Sequence, residues 1–246
     1  MASDVIEQLA LGVGSSVITG TAVWLAQRAR TTGRLRGRRA FLGLTGRHAG
    51  ACRLVVGLNP KVRDSVARLD VVAMLEVAAM VRALGSEPAV LSPAEAVDAP
   101  DAVEFCIGGP DANPRLAAHL RQLLPGLTFV PFRPDNQDAA AIVAGDQRFR
   151  RERGRTEYVV VARATRPGRP PVFLIAGQVP GTNRAGAAYL AANVAALRRR
   201  FGDDRPFCLV LRVVEAHAYG HRDVSEAADV TAEAVRRPPE PAPDSG

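Results

Sequence analysis

The chain of 246 residues has a single lysine, Lys61, so its basic character is arginine. Guanidinium groups suit forked contacts to phosphate and carboxylate, although genome composition alone produces the same preference. Aromatic residues make up only 5% of the chain, and Ala, Val and Leu carry most of the apolar content. There are three cysteines, Cys52, Cys106 and Cys208, each in or beside an apolar strand-like run. An odd number without short-range spacing argues against a disulfide framework or a zinc site and fits buried free thiols. No P-loop is present, because Gly43, Gly46 and Gly50 lack the accompanying lysine. Gly12-Val13-Gly14 has no preceding strand and no third glycine, which excludes a dinucleotide fingerprint. A nucleophile elbow and a Ser-His-Asp order are missing as well.

What is present is a 47% apolar chain, enough for a sizeable core and incompatible with global disorder. Formal net charge is +7, unevenly spread. Residues 1–40 hold six arginines against Asp4 and Glu7, whereas residues 222–246 hold three arginines against six acids. One uncharged stretch, Leu9 to Ala26, is 18 residues long, near the lower limit for spanning a bilayer. Trp24 stands at one end, and Arg28, Arg30, Arg34, Arg36, Arg38 and Arg39 follow at once. This layout predicts a membrane helix in residues 1–27, with the N-terminus outside and the rest of the chain cytoplasmic. It is the reverse of a cleaved signal peptide. A soluble Ala/Gly-rich helix packed on the domain is the competing reading. Gly12, Ser16 and Gly20 recur every four residues, a spacing that permits helix–helix self-association. Residues 28–40 read as a basic juxtamembrane linker attracted to anionic lipid. Without interleaved aromatics these arginines argue for membrane topology and against nucleic acid.

The organisation predicted is a domain over residues 41–221, followed by an acidic and then Pro-rich tail, 222–246. Short apolar runs at 53–58, 87–91, 103–107 and 127–132 alternate with helical patterns, which predicts an α/β fold with a mostly parallel sheet covered on both faces. Asp70 is read as the cap of a helix reaching Leu84. Tyr158 to Ala164 and Val172 to Ala176, joined by Thr165-Arg166-Pro167-Gly168-Arg169-Pro170, form a hairpin signal, so the sheet is mixed. The polar stretch 133–157, with five arginines around Phe149, reads as a solvated surface segment or a phosphate-facing lid. Pro206 to Val214 is taken as the last strand, and 222–237 as an acidic segment with one short helix.

Two stretches repeat a strand–glycine–helix plan. The first is Val103-Glu104-Phe105-Cys106-Ile107-Gly108-Gly109-Pro110-Asp111-Ala112-Asn113-Pro114. The second is Pro171 to Arg184, which contains Gly177, Gly181, Thr182 and Asn183 and runs into an Ala-rich helix ending near Phe201. Asn113 is followed by Ala117, Ala118 and Leu120, and Asn183 by Ala187, Ala188 and Leu190. Asn113 is a good N-cap with Pro114 at the first helical position, and Thr182 or Asn183 can cap the second helix. Free N–H groups of such helices point towards the carboxyl ends of the strands, where open α/β sheets bind ligands. Arg115 and Arg184 lie in first turns, against the helix dipole. Either a bound anion or an acidic partner such as Asp111 or Glu104 offsets that placement. Gly108, Gly109, Asp111, Asn113, Arg115, Gly177, Gly181, Thr182, Asn183 and Arg184 are therefore the candidate ligand-binding residues. His119 either faces this site or packs. Glu215, His217 and His221 have metal-ligating side chains, but Gly220 interrupts them and a fourth ligand is missing, so no metal site is assigned.

A strand ending in Gly-Gly-Pro-x-x-Asn-Pro over residues 107–114, the hairpin of 158–176 and the Ala-Gly…Gly-Thr turn with its Ala-rich helix over 176–190 resemble a bacterial membrane-anchored α/β, Rossmann-like module of no assigned activity. That resemblance covers about half the chain and implies a sensory or conflict-associated role. A fainter likeness links Gly177-Gln178-Val179-Pro180-Gly181-Thr182 to nucleotide-binding folds with a Gly-Gly-x-Gly-Thr turn. The glutamate those enzymes place after the threonine is missing here, so no catalytic role is carried over. Three functions are expected to compete. One is a membrane-anchored cytoplasmic domain that binds a nucleotide or other phosphorylated small molecule in a regulatory or sensory role. Another is a hydrolase or glycosyl-transfer enzyme using Glu104, Asp111 or Glu215 as acid or base. The third is an interaction module binding anionic lipid or nucleic acid. No cofactor is specified by the sequence.

Overall fold

A computed structural model describes residues 32–46, 51–59, 62, 65–98, 102–131, 133, 136–220 and 222–237. The stretch expected to cross a membrane, residues 9–26, lies outside them. Among the described residues, no helix is long and apolar enough to cross a membrane.

The α/β expectation holds, with a mixed sheet. Seven strands carry the fold: β1 (Ala51–Val56), β2 (Glu87–Leu91), β3 (Val103–Ile107), β7 (Thr156–Arg166), β8 (Arg169–Gly177), β9 (Phe207–Val214) and β10 (Val224–Asp229). Their order across the sheet is β10-β9-β7-β8-β3-β1-β2. β2, β1, β3 and β8 are parallel neighbours, and β7, β9 and β10 complete the sheet by antiparallel pairing. The antiparallel part follows from the β7–β8 hairpin, whose two-residue turn at Pro167-Gly168 reverses the chain. β3 is an interior strand, between β8 and β1, and is buried along its whole length.

Two apolar layers enclose the sheet. On one face pack α1 (residues 32–41), α2 (Arg68–Ala83) and α4 (Pro180–Phe201). Val77, Val81, Leu190 and Val194 meet Leu54, Phe105, Phe173 and Leu209 there. Phe105 stacks on Phe173 at 4.8 Å between ring centroids. Covering the other face are α3 (Pro114–Leu123), the short α6 (Thr231–Val235) and a second, three-stranded sheet. That sheet is antiparallel and made of β4 (Leu127–Phe129), β5 (Ile142–Ala144) and β6 (Gln147–Phe149). The four-residue α5 (Ala216–Tyr219) follows β9.

Several local expectations are corrected. Leu127–Phe129 joins the small sheet and is not a fourth strand of the main one. The stretch 133–157, read as solvated surface, supplies β5 and β6, with Ile142 and Ala144 fully buried. β9 is not the last strand, because the acidic segment 222–237 contributes β10 before α6. Exposed edge strands read as polar, and β10 carries Glu226 and Asp229 to solvent-facing Arg200. Residues 32–40, within the stretch read as linker, are helical, and Phe41, the last residue of that helix, is fully buried together with Leu42 and Leu44.

A buried arginine secures that end. Arg163 on β7 has no exposed surface. Its Nη1 donates to the Phe41 carbonyl (3.0 Å), its Nη2 to those of Gly202 (3.0 Å) and Arg205, and its Nε to Arg205 (3.1 Å). The guanidinium lies over the Phe41 ring at 4.4 Å. Burial lowers its pKa to about 10, with Asp203 and Asp204 partly opposing, so it stays charged at neutral pH. Carbonyl dipoles and the aromatic face replace the water it has lost.

The three cysteines are free and buried, as the sequence implies. Burial pushes the Cys52 thiol up to about 12 and those of Cys106 and Cys208 well above their usual value. Since the thiolate is the reactive form, a disulfide-exchange reagent at neutral pH is expected to titrate none of them in the native chain and all three after denaturation in guanidinium chloride. One fast-reacting thiol in the native chain would contradict this account.

Candidate functional site

The connections at the carboxyl ends of three neighbouring parallel strands diverge. β1 leads into α2 on one face, β3 into α3 on the other, and β8 into α4 back on the first. The chain therefore splays apart on either side of β3, which opens a crevice beyond the strand ends. Such a switch in crossover side is where doubly wound sheets bind ligands.

Each repeated motif builds one lip of the crevice. After β3, Gly108 adopts φ +119°, a conformation that side chains rarely take, and its N–H donates to the Ile175 carbonyl at 3.0 Å. Asn113 is fully buried and caps α3, as expected. Its Oδ1 accepts from the Leu116 N–H (3.1 Å), while its Nδ2 donates to the carbonyls of Val55 (3.1 Å) and Ile107 (3.2 Å). One amide thus joins the ends of β1 and β3 to the start of α3. After β8, the Gly177 N–H donates to Asn183 Oδ1 at 2.6 Å, and Asn183 Nδ2 donates to Asp70 Oδ1 at 2.7 Å. Neither Thr182 nor Asn183 is the cap of α4. The helix starts earlier, at Pro180 after Val179, because proline at the first position is pre-set for helical φ. The Thr182 hydroxyl donates back to the Val179 carbonyl at 2.8 Å. Asp70 is likewise not a cap: α2 begins at Arg68 after Ala67, and Asp70 is its third residue, turned to Asn183.

Between the lips lies a cavity of about 440 Å³. Gly109 and Gly177 line it at the strand ends, and Phe129, Val130, Val179 and Pro180 give it apolar walls. Polar side chains on its surface are Asn59, Asp70, Asp111, Arg151, Gln178 and Asn183. Gln178 is locked by the fold: its Oε1 accepts from the Tyr158 N–H (2.9 Å), and its Nε2 donates to the Phe149 carbonyl (2.8 Å). Asp70 is only 4% exposed, and burial raises its carboxyl pKa, with the Asn183 hydrogen bond partly opposing.

Of the ten residues predicted to bind a ligand, Gly109, Asp111, Gly177 and Asn183 line this cavity. Gly108, Asn113, Gly181 and Thr182 belong to the turns that shape it, without lining it. The two arginines do not line it. Arg115 forks onto Glu104, Nε to Oε1 and Nη2 to Oε2, both at 2.9 Å, so the acidic partner is what offsets its position in the first turn of α3. Arg184 is half-buried, and its Nε has no hydrogen-bond partner among the described residues. Asp70, Asn59 and Gln178 line the crevice without belonging to those ten, and Arg151 comes from the run of arginines around Phe149. Nothing local distinguishes an aspartate in the first turn of a helix from any other, so Asp70 has no signal in the sequence.

A second polar group sits between β3 and α3. Glu104, Cys106 and His119 place their ligand-type atoms within 4.8 Å of one another, all three residues buried. His119 therefore packs, with Nε2 2.8 Å from Glu104 Oε1, and Cys106 Sγ donates to the same oxygen at 3.1 Å. Burial by itself would raise the Glu104 carboxyl, but hydrogen bonds from His119, Arg115 and Cys106 prevail and hold it well below the usual carboxylate range. Arg115 already neutralises both carboxylate oxygens, so a cation would have to displace it, and the donor set fits an internal hydrogen-bond hub better than a metal centre. The same occupancy removes Glu104 from the candidate acid–base groups of the crevice. Of the other metal-ligating trio, Glu215 precedes α5 at φ 46°, while His221 and the side chain of His217 lie outside what the structure describes.

Comparison of the chain with protein-family models, curated proteins and solved structures finds no match in any of the three.

Proposed function

We propose that the crevice binds a nucleotide or other phosphorylated small molecule, in a regulatory or sensory domain attached to the membrane through residues 9–26. The observation that carries this reading is the cavity itself. It lies at the switch in crossover side, has the size of a small-molecule site, and gathers Asp70, Asp111 and Arg151 around apolar walls. A planar base suits the surface of Phe129, Val130 and Val179, hydroxyl groups suit the carboxylates, and Arg151 is the cation that suits a phosphate. The uncharged stretch and the arginines after it support a cytoplasmic position for the domain.

A thermal-shift screen of the full chain in detergent micelles against nucleosides, their 5′-monophosphates and sugar phosphates tests the reading. A member present at 100 times its dissociation constant is expected to stabilise the chain by about 2.7 kcal/mol. Arg151→Ala should weaken the phosphorylated member at least tenfold and leave the corresponding nucleoside unchanged. A panel without a single shift would overturn the proposal.

A further inference from the structure

Asp70 is a carboxylate that the fold holds at its own expense. It is 4% exposed, yet among the described residues no arginine or histidine pairs with it. Its one side-chain hydrogen bond among the described residues comes from a neutral amide, Asn183 Nδ2 to Oδ1 at 2.7 Å. The orientation of that amide is fixed from behind, because Asn183 Oδ1 accepts the Gly177 N–H at 2.6 Å. Only the NH2 side of Asn183 can then face Asp70. Gly177, Asn183 and Asp70 form a short rigid chain from β8 through α4 to α2, ending on the cavity surface. A buried carboxylate needs two or more donors to replace its water, and here the described residues supply a single neutral one, while the second oxygen is not among the buried atoms sealed off without a partner. The first turn of α2 contributes some compensation through the helix dipole. Asparagine at position 70 would fill the same space without a charge to desolvate. A charge retained in such a place marks a functional group more often than a structural one.

We infer that Asp70 reads the ligand, and that the ligand presents hydroxyl donors to the inner end of the crevice, as the ribose diol of a nucleotide does. The incoming O–H groups supply the donors that the fold omits, and Asn183 holds the carboxylate so that its second oxygen is turned to the ligand. Asp111, exposed and also on the cavity surface, adds a second acceptor. Donors are read at the carboxylate end and the phosphate at Arg151. This inference rests on the crevice reading above.

The sign of the stability effect separates the two roles. Burial raises the Asp70 pKa above its unfolded value of 3.8, so the unfolded chain gives up this proton more easily. Stability from the protonated form is complete below 3.8 and falls as pH rises through the raised value, which makes the charge destabilising at neutral pH. Asp70→Asn is therefore expected to raise the melting temperature of the full chain at pH 7. In the same variant, affinity for the 5′-monophosphate that binds wild type best is expected to fall at least tenfold in isothermal titration. Wild type should in turn bind the 2′,3′-dideoxy form of that nucleotide at least tenfold more weakly than the ribose form, a comparison independent of any variant. If wild type binds the ribose and dideoxy forms equally, or Asp70→Asn binds as wild type does, the inference falls while the crevice reading stands. If Asp70→Asn melts lower than wild type, the carboxylate is structural and the inference falls too. Silence of all the 5′-monophosphates on wild type overturns the inference, and silence of the whole panel overturns the crevice reading with it.

Discussion

Gly177→Ala is expected to lower the stability of the domain by about 3 kcal/mol, at the upper end of the overpacking range. A Cβ built on Gly177 collides with Thr182 Oγ1 and meets Asn183 Oδ1 at 2.7 Å and the Asn183 backbone nitrogen at 3.1 Å. Neither side chain is a flexible end that can swing aside. Thr182 is fully buried and bonded to Val179, and Asn183 is held between Gly177 and Asp70. Relief requires the first turn of α4 to move off β8, which breaks the rigid chain ending on Asp70. Gly109→Ala is the matched control. Its Cβ would have the Gly177 carbonyl as nearest neighbour, at an ordinary 3.6 Å. Chemical denaturation should show Gly109→Ala within about 1 kcal/mol of wild type. Equal stability of the two variants would mean that the close approach at Gly177 does not exist.

Glu104→Gln is expected to destabilise by about 3 kcal/mol at neutral pH. Removing one partner of a buried ion pair costs about 3–5 kcal/mol, and the 27% exposure of the Arg115 side chain places this pair at the low end. The amide removes the charge that Arg115 neutralises, and it turns an NH2 group towards side chains that are themselves donors. Linkage sets the pH window. The native Glu104 carboxyl is held far below 4.5, the value of an unperturbed glutamate, so its contribution is complete above that value and is lost as pH falls below it. The gap between wild type and variant should therefore be full at pH 7 and shrink steadily in acid. Urea unfolding at both pH values measures it, and a gap independent of pH would remove the charge from the explanation.

What the sequence revealed divides along the range of the interactions involved. Asn113 and Pro114 announce a helix start because cap chemistry acts over three residues, and Leu116 answers it. The Pro167-Gly168 hairpin is equally local. Both glycine turns were visible for the same reason, and their meeting across β3 and β8 is a matter of strand order. Interactions between distant positions were not legible. Asp70 and Asn183 are 113 residues apart, and no pattern in either segment points to the other. Arg115 shows the intermediate case: its unfavourable place in a first turn calls for a negative partner, yet an anion and Glu104 satisfy that demand equally until β3 and α3 are seen in contact. β5, β6 and β10 escaped because short or edge strands keep too few apolar positions to show an alternation.

Arg163 has a mechanical consequence. Through the Phe41 carbonyl it clamps the last turn of α1 to the middle of the sheet, across 122 residues of chain. The same guanidinium grips the Gly202 and Arg205 carbonyls, so the exit of α1 and the turn between α4 and β9 share one rivet. Prising the last turn of α1 from the sheet therefore means loosening the hold of one guanidinium on three carbonyls, which ties the exit of α1 to β7 and to the turn after α4.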